Sequence, residues 1–176
     1  KNKDLIGKYN LVINKTDFDV YSCLKNIVDI QQNNINQLSK DIKIIYSVPD
    51  DLAEIVINSD EMRFKQIVYN LLSNASKYTD EGIIEVGYSI KTRNEEEVIE
   101  FFVKDTGLGI PEEAFDVIFD RFIQAKNIDF QKGTGLGLSI TKGLLNLLGG
   151  EIWLKSELNK GSEFFFTLPY HEIQPG

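Results

Sequence analysis

Two runs of alternating residues, Ile83–Ile90 and Val98–Asp105, constrain this chain more than any other feature. Successive side chains of a strand point to opposite faces, so alternation over such lengths specifies two half-buried strands. The charged stretch Asn94–Glu97 between them predicts an antiparallel hairpin joined by a loop. On the second run Ile99, Phe101, Val103 and Asp105 share one parity, so a carboxylate ends a face that is otherwise apolar. A buried carboxylate needs donors, and an exocyclic amine such as that of adenine would supply one. The string continues Thr106-Gly107-Leu108-Gly109-Ile110-Pro111, and its glycines let a ligand come close to the backbone. The same string also reads as a glycine turn that merely starts a helix at Pro111.

The remaining apolar spacing supplies the layer that covers such a hairpin. From Asp19, residues Val20, Leu24, Ile27, Val28, Ile35 and Leu38 recur at helical intervals. Ser59 and Asp60 offer an N-cap for a second helix, with the stripe Phe64, Ile67, Val68, Leu71, Leu72 and Ala75 running to about Lys77. Leu138–Leu148 predicts a third helix, stopped by Gly149-Gly150, and Pro111–Phe119 a short one. Ile42–Val48 and Ile55–Asn58 read as strands, Leu11–Ile13 as a short strand or arm, and 121–132 as a loop with little period. Glu151–Ser156 and Ser162–Leu168 form a closing hairpin across Asn159-Lys160-Gly161. Helices interspersed with antiparallel hairpins predict an α/β two-layer domain, a mixed and largely antiparallel sheet of about five strands covered on one face by about three helices.

Composition narrows the class. A chain of 176 residues suits one domain, and its single cysteine, Cys23, forms no internal disulfide, as in a reducing compartment. Nineteen Lys and Arg against 27 Asp and Glu give a net charge of −8, which disfavours nucleic acid and anionic lipid as partners. No apolar run approaches the roughly 20 residues of a membrane span, and Lys1–Asp4 leads into no signal-peptide core.

Two further constellations carry chemistry. Asn70, Asn74 and Lys77 lie in one polar row of the second helix, about 100° from the centre of its apolar stripe. An amide oxygen can ligate a hard cation and an ammonium can meet a phosphate, although a solvated helix face has the same pattern. Gly133-Thr134-Gly135-Leu136-Gly137-Leu138 leads directly into the third helix. Open amides at a helix start favour a phosphate, yet a glycine run alone is weak evidence. No Gly-Lys-Ser/Thr follows, and neither glycine string has Rossmann spacing.

The order of these strings resembles the catalytic and ATP-binding domain of sensor histidine kinases, in the GHKL ATPase superfamily with its Bergerat-type fold. The likeness runs from about Phe18 to Pro169. Asn70–Asn74 and onward resemble the N box, Asp105–Gly109 the G1 box, Ile118–Phe122 the F box and Gly133–Ile140 the G2 box; Gly161–Pro169 resembles the closing hairpin. The resemblance implies ATP and Mg²⁺ as cofactors. It places Asn74 on the metal with Asn70 in support, Lys77 on phosphate and Asp105 on the adenine amine, with Tyr78 beside the nucleotide. Gly107, Gly109 and Ile110 would border the nucleotide, and Ser162 would join the water network around adenine. Gly133, Thr134, Gly135, Leu136, Gly137 and Leu138 would surround the phosphates, with 121–132 as a lid contributing Phe122 and, toward the γ-phosphate, one of Lys126, Arg121 and Lys132.

The superfamily's hydrolases carry a general-base glutamate four residues before the metal asparagine. Asn70 stands there in this chain, and an amide takes no proton at neutral pH. Phosphoryl transfer to another nucleophile is therefore expected over hydrolysis, with an ATP hydrolase and a non-catalytic nucleotide scaffold as rivals. The family's phosphoacceptor histidine lies on a separate helical hairpin. The sole histidine here, His171, precedes Glu172 but no Arg-Thr-Pro and no helix, and reads as tail. The expected organisation is residues 1–17 as connection from that hairpin, 18–170 as the ATP-binding domain and 171–176 as tail. Expected partners are the dimerisation and phosphoacceptor domain of the same protein and a response-regulator receiver domain. Nucleic acid and direct membrane contact are not expected, and analogy puts the domain on the cytoplasmic side of a membrane-bound sensor.

Overall fold

Two aspartates open the two long helices. In the computed structural model, which describes residues 12–120 and 136–171, Asp19 accepts the Ser22 amide at 2.8 Å and α1 runs Val20–Gln37. Asp60 accepts the Arg63 amide at 3.2 Å and, with its other oxygen, the Asn14 amide at 3.0 Å; α2 runs Glu61–Lys77. Each carboxylate satisfies an amide that the first helical turn leaves open. The third helix, α3, spans Leu136–Leu148. It ends on its glycines as expected, with Gly149 at φ +82° and the Gly150 amide on the Leu145 carbonyl at 2.8 Å.

A two-stranded sheet pairs β1 (Thr16–Asp19) with β3 (Val56–Ser59), antiparallel. The first of these strands has one buried residue, Phe18, and no apolar alternation to betray it. The main sheet contains β2 (Asp41–Ser47), β4 (Glu81–Arg93), β5 (Glu96–Asp105), β6 (Ile152–Glu157) and β7 (Gly161–Pro169) in the order β2-β4-β5-β7-β6. Only β2 and β4 run parallel, so the sheet is mixed and largely antiparallel as expected.

Ile84, Val86 and Tyr88 of β4, Ile99, Phe101 and Val103 of β5, and Phe164, Phe166 and Leu168 of β7 share the buried parity. They form one core with Leu24, Phe64, Leu71, Leu144 and Leu145 of the helices. A line of aromatic rings crosses it. Phe18 lies 5.5 Å from Phe64, Phe64 lies 5.1 Å from Phe101, and Phe101 stacks on Phe166 at 4.6 Å.

The β2 edge is not bare. The Gln32 side chain of α1 donates to the Ile42 carbonyl and accepts the Ile44 amide, both at 2.9 Å, as a neighbouring strand would.

Two expectations change. Pro111–Phe119 is not an α-helix; it is one 3₁₀ turn at Glu112–Ala114 followed by further turns. Pro111 stays extended at ψ 145°, and the amides of Ala114, Phe115 and Val117 bond three residues back. So short a segment gains too few bonds to offset helix nucleation. The expected charged loop 94–97 contracts to the two-residue turn Asn94-Glu95, at φ 51° and 66°, and the strands run on to pair Arg93 with Glu96. Positive φ at both positions matches the twist of the flanking strands.

Candidate functional site

Asp105 ends β5 on the buried parity, with 6% of its surface exposed, and pairs in register with Ser162 of β7. One carboxylate oxygen accepts the Gly107 amide at 2.9 Å and the Ser162 amide at 3.2 Å. Burial raises its pKa above the ordinary carboxylate value, against the lowering pull of these two amides. A narrow cleft adjoins it, lined by Asn74 and Ala75 of α2, Tyr78 at its C-cap, Leu108, Gly109 and Ile110 of the loop, Leu138, Ser162 and Phe164. Its free volume of about 30 Å³ is that of about two water molecules. Burial pushes the Tyr78 hydroxyl up to about 12, so that side chain is a neutral wall.

Ser156 holds the loop to the sheet. Its hydroxyl accepts the Ile110 amide at 2.7 Å and lies 2.8 Å from both the Gly161 carbonyl and the Ser162 hydroxyl. It has one proton to give, so when it donates to Gly161, Ser162 must donate to it.

The glycines of the Asp105 loop serve the protein's own backbone first. A Cβ on Gly107 would overlap the Tyr78 carbonyl, and one on Gly109, at φ +73°, would overlap the Glu157 carbonyl. The Leu108 amide bonds to the Tyr78 carbonyl at 3.1 Å, and the Asn159 amide bonds to the Leu108 carbonyl at 2.6 Å. The loop is thus threaded between the end of α2 and the β6–β7 turn. Gly137 differs, because among the described residues nothing lies within 4 Å of a Cβ placed there.

Seven expected site residues meet in the cleft: Asn74, Tyr78, Asp105, Gly109, Ile110, Leu138 and Ser162. Asn70 faces α3 instead, its amide donating to the Thr141 hydroxyl at 3.2 Å and the Gly137 carbonyl at 3.4 Å. Lys77 is half-buried, with its ammonium 5.9 Å from the centre of the Tyr78 ring, and is not among the lining residues. Phe122, Lys126, Gly133, Thr134, Gly135 and the expected lid at 121–132 lie outside the described residues, as does the side chain of Leu136. Ala75, Leu108 and Phe164 also line the cleft, and Ser156 and Thr141 hold it, without having been expected there. Extending the parity argument from β5 to β7 finds Phe164, two residues from Ser162; the two hydroxyl residues leave no such signal.

Among the described residues no group of three His, Cys, Asp or Glu could hold a metal, and no helix is long and apolar enough to cross a membrane. Asn74, half-buried and without a side-chain partner among the described residues, lines the cleft with an amide oxygen of the kind that can ligate a hard cation.

Among the described residues, a mixed five-stranded sheet with three helices, and a strand-end carboxylate beside an amide-bearing helix, define a Bergerat-type two-layer domain. The chain belongs to the histidine kinase-, DNA gyrase B-, and HSP90-like ATPase family, whose signature matches residues 59–172. It is 37% identical over 167 residues to the autoinducer 2 sensor kinase/phosphatase LuxQ of Vibrio vulnificus, a match that covers 93% of this chain and 19% of LuxQ. The chain therefore spans about a fifth of the length of that relative. Full-length ShkA in complex with AMPPNP is similar at TM-score 0.79 and 28% identity, over 96% of this chain and 34% of that one. The nucleotide-free catalytic domain of the histidine kinase ThkA is similar at TM-score 0.72 and 26% identity, over 89% and 95% of the two chains.

Proposed function

We propose that this chain is the Mg-ATP-binding catalytic domain of a sensor histidine kinase, passing the γ-phosphoryl of ATP to a histidine on a separate helical domain of the same protein. Asp105 carries the reading. Two backbone amides hold one of its oxygens, which leaves the other to accept the amine of a purine in the adjoining cleft. Seating a purine widens that cleft, and the lining side chains that are not buried are Leu108, 51% exposed, and half-buried Asn74, Tyr78 and Leu138.

The described residues fit a magnesium ion that keeps most of its oxygens from phosphate and water, because Asn74 supplies one amide oxygen and there is no carboxylate cage. Such an ion, when bound, neutralises phosphate charge. Lys77 adds a cation one helical turn beyond Asn74. Asn70 contributes no base, since an amide takes no proton at neutral pH, and its NH₂ donates to α3. The domain therefore holds ATP for another nucleophile rather than activating water, and a response-regulator receiver domain takes the phosphoryl group next. By the same reading the chain works on the cytoplasmic side of a membrane-bound sensor, with residues 1–17 leading from the phosphoacceptor hairpin, 18–170 as the nucleotide-binding domain and 171–176 as tail.

Calorimetric titration of Mg-ATP into wild type and Asp105→Asn tests the pocket, and equal binding by the two defeats it. Labelled ATP with the purified histidine-bearing hairpin of the same protein tests transfer. Unlabelled histidine there favours a scaffold, and steady phosphate release by the domain alone favours a hydrolase.

A further inference from the structure

Lys40 precedes β2 in sequence yet reaches the far end of α2. Its ammonium donates to the carbonyls of Ser76 at 2.8 Å, Thr79 at 3.2 Å and Lys77 at 3.5 Å. The last carbonyls of a helix have no partner within it and form the negative end of its dipole. An ammonium has three protons to give, and here three carbonyls receive them. No glycine ends α2: Tyr78 takes the C-cap at φ −96°, ψ 6°, in place of a left-handed cap. A second tie from α1 reaches the same turn, where Gln31 donates to the Ser76 hydroxyl at 3.0 Å and that hydroxyl donates to the Leu72 carbonyl at 2.8 Å.

The turn so held is the one on which the Asp105 loop rests. Within it, the Tyr78 carbonyl accepts the Leu108 amide at 3.1 Å, and it lies where a Cβ on Gly107 would be. Gly107 in turn gives its amide to Asp105. One cation outside the cleft is thus linked through Ser76–Thr79 and the Tyr78 carbonyl to the loop that orients the carboxylate.

We infer that Lys40 is a positioning residue for the nucleotide site, fixing the end of α2 and through it the loop from Asp105 to Gly109. This rests on the ATP-binding reading above. Lys40→Met keeps the aliphatic stem and removes the ammonium. It is expected to weaken Mg-ATP binding about tenfold, the scale of one lost charge-assisted hydrogen bond. In the nucleotide-free protein it speeds hydrogen exchange at the Leu108 amide, and Lys40→Arg, which keeps the charge, restores most of both.

Ile57→Val, a buried β3 change outside the cleft lining, serves as the stability control. Binding is measured well below the melting temperature of every variant. Wild-type affinity in Lys40→Met with unchanged Leu108 exchange overturns the inference. So does an affinity loss no larger than that of Ile57→Val measured at the same margin below its melting temperature. Failure of wild type itself to bind ATP defeats the ATP reading alone, because exchange at Leu108 still reports whether Lys40 holds the loop.

Discussion

The Asn70 side chain donates to the Thr141 hydroxyl at 3.2 Å, joining α2 to α3 where the Thr141 hydroxyl itself donates to the Gly137 carbonyl at 2.7 Å. The Asn70 amide also points a hydrogen at that carbonyl, 3.4 Å away. A carboxylate in its place has no hydrogen for either oxygen. As it stands, the position is filled by a donor that ties α2 to α3.

Asn70→Asp, which keeps the shape and removes the donor, should destabilise the domain by about 1–3 kcal/mol, and Thr141→Val by about 1 kcal/mol. Urea unfolding midpoints check both. If Asn70→Asp unfolds at the wild-type midpoint, the helix–helix tie carries no weight.

Asp105 sets stability against binding. Its folded-state pKa lies above that of the unfolded chain, so the folded protein holds this proton more tightly. Its contribution to stability therefore falls as pH rises from the ordinary carboxylate range through the folded pKa, and returns on acidification. Purine binding runs the other way, because it needs the ionised acceptor. Asp105→Asn still accepts the Gly107 and Ser162 amides through its oxygen but turns an NH₂ toward the ligand amine. The variant should match or exceed wild-type stability at pH 7 while losing Mg-ATP affinity. Urea titrations at pH 7 and 5 beside calorimetry decide it; a clear loss of stability at pH 7 contradicts the assignment.

Gly109 and Gly137 should part company when each becomes alanine. At Gly109 the left-handed backbone and the Glu157 carbonyl both oppose a Cβ, so Gly109→Ala should unfold more readily by about 1–3 kcal/mol. Gly137 lies in the first turn of α3 with open space around it among the described residues, so Gly137→Ala should gain up to about 1 kcal/mol. It should still weaken ATP binding if phosphate approaches there. Thermal melts and calorimetry on the pair separate a packing glycine from a ligand-facing one.

The Asn94-Glu95 turn carries a removable strain. Glu95 sits at φ 66° without the freedom of glycine, and Glu95→Gly completes the Asn-Gly pair that such turns favour. A gain of about 1 kcal/mol, or roughly 2–4 °C in melting temperature for a domain of this size, is expected. An unchanged melting temperature would mean the turn adapts without cost.

The sequence disclosed those elements whose burial repeats. Alternation gave β4 and β5, and it put Asp105 on the buried face because a strand face is fixed by parity alone. The stripe from Phe64 to Ala75 gave α2, with Asn74 at the cleft. What parity and period do not encode was lost. β1 has one buried residue and exists because β3 pairs with it. The segment after Pro111 has helical composition, yet the amides of Ala114, Phe115, Val117 and Asp120 bond three residues back and only that of Ile118 four. Asn70 and Asn74 look equivalent four residues apart, and only the position of α3 sends one to Thr141 and the other to the cleft.

The Gln32 side chain has a consequence beyond the single molecule. An outer strand with free amides and carbonyls invites a second copy to add itself, and sheet proteins at high local concentration aggregate by that route. Here one α1 residue occupies the Ile42 carbonyl and the Ile44 amide, so an incoming strand meets an interrupted ladder where β2 would otherwise be a template. Protection against self-association at this border is therefore supplied by a helix, through one amide, beside the exposed charges of Asp41 and Lys43 on the strand itself.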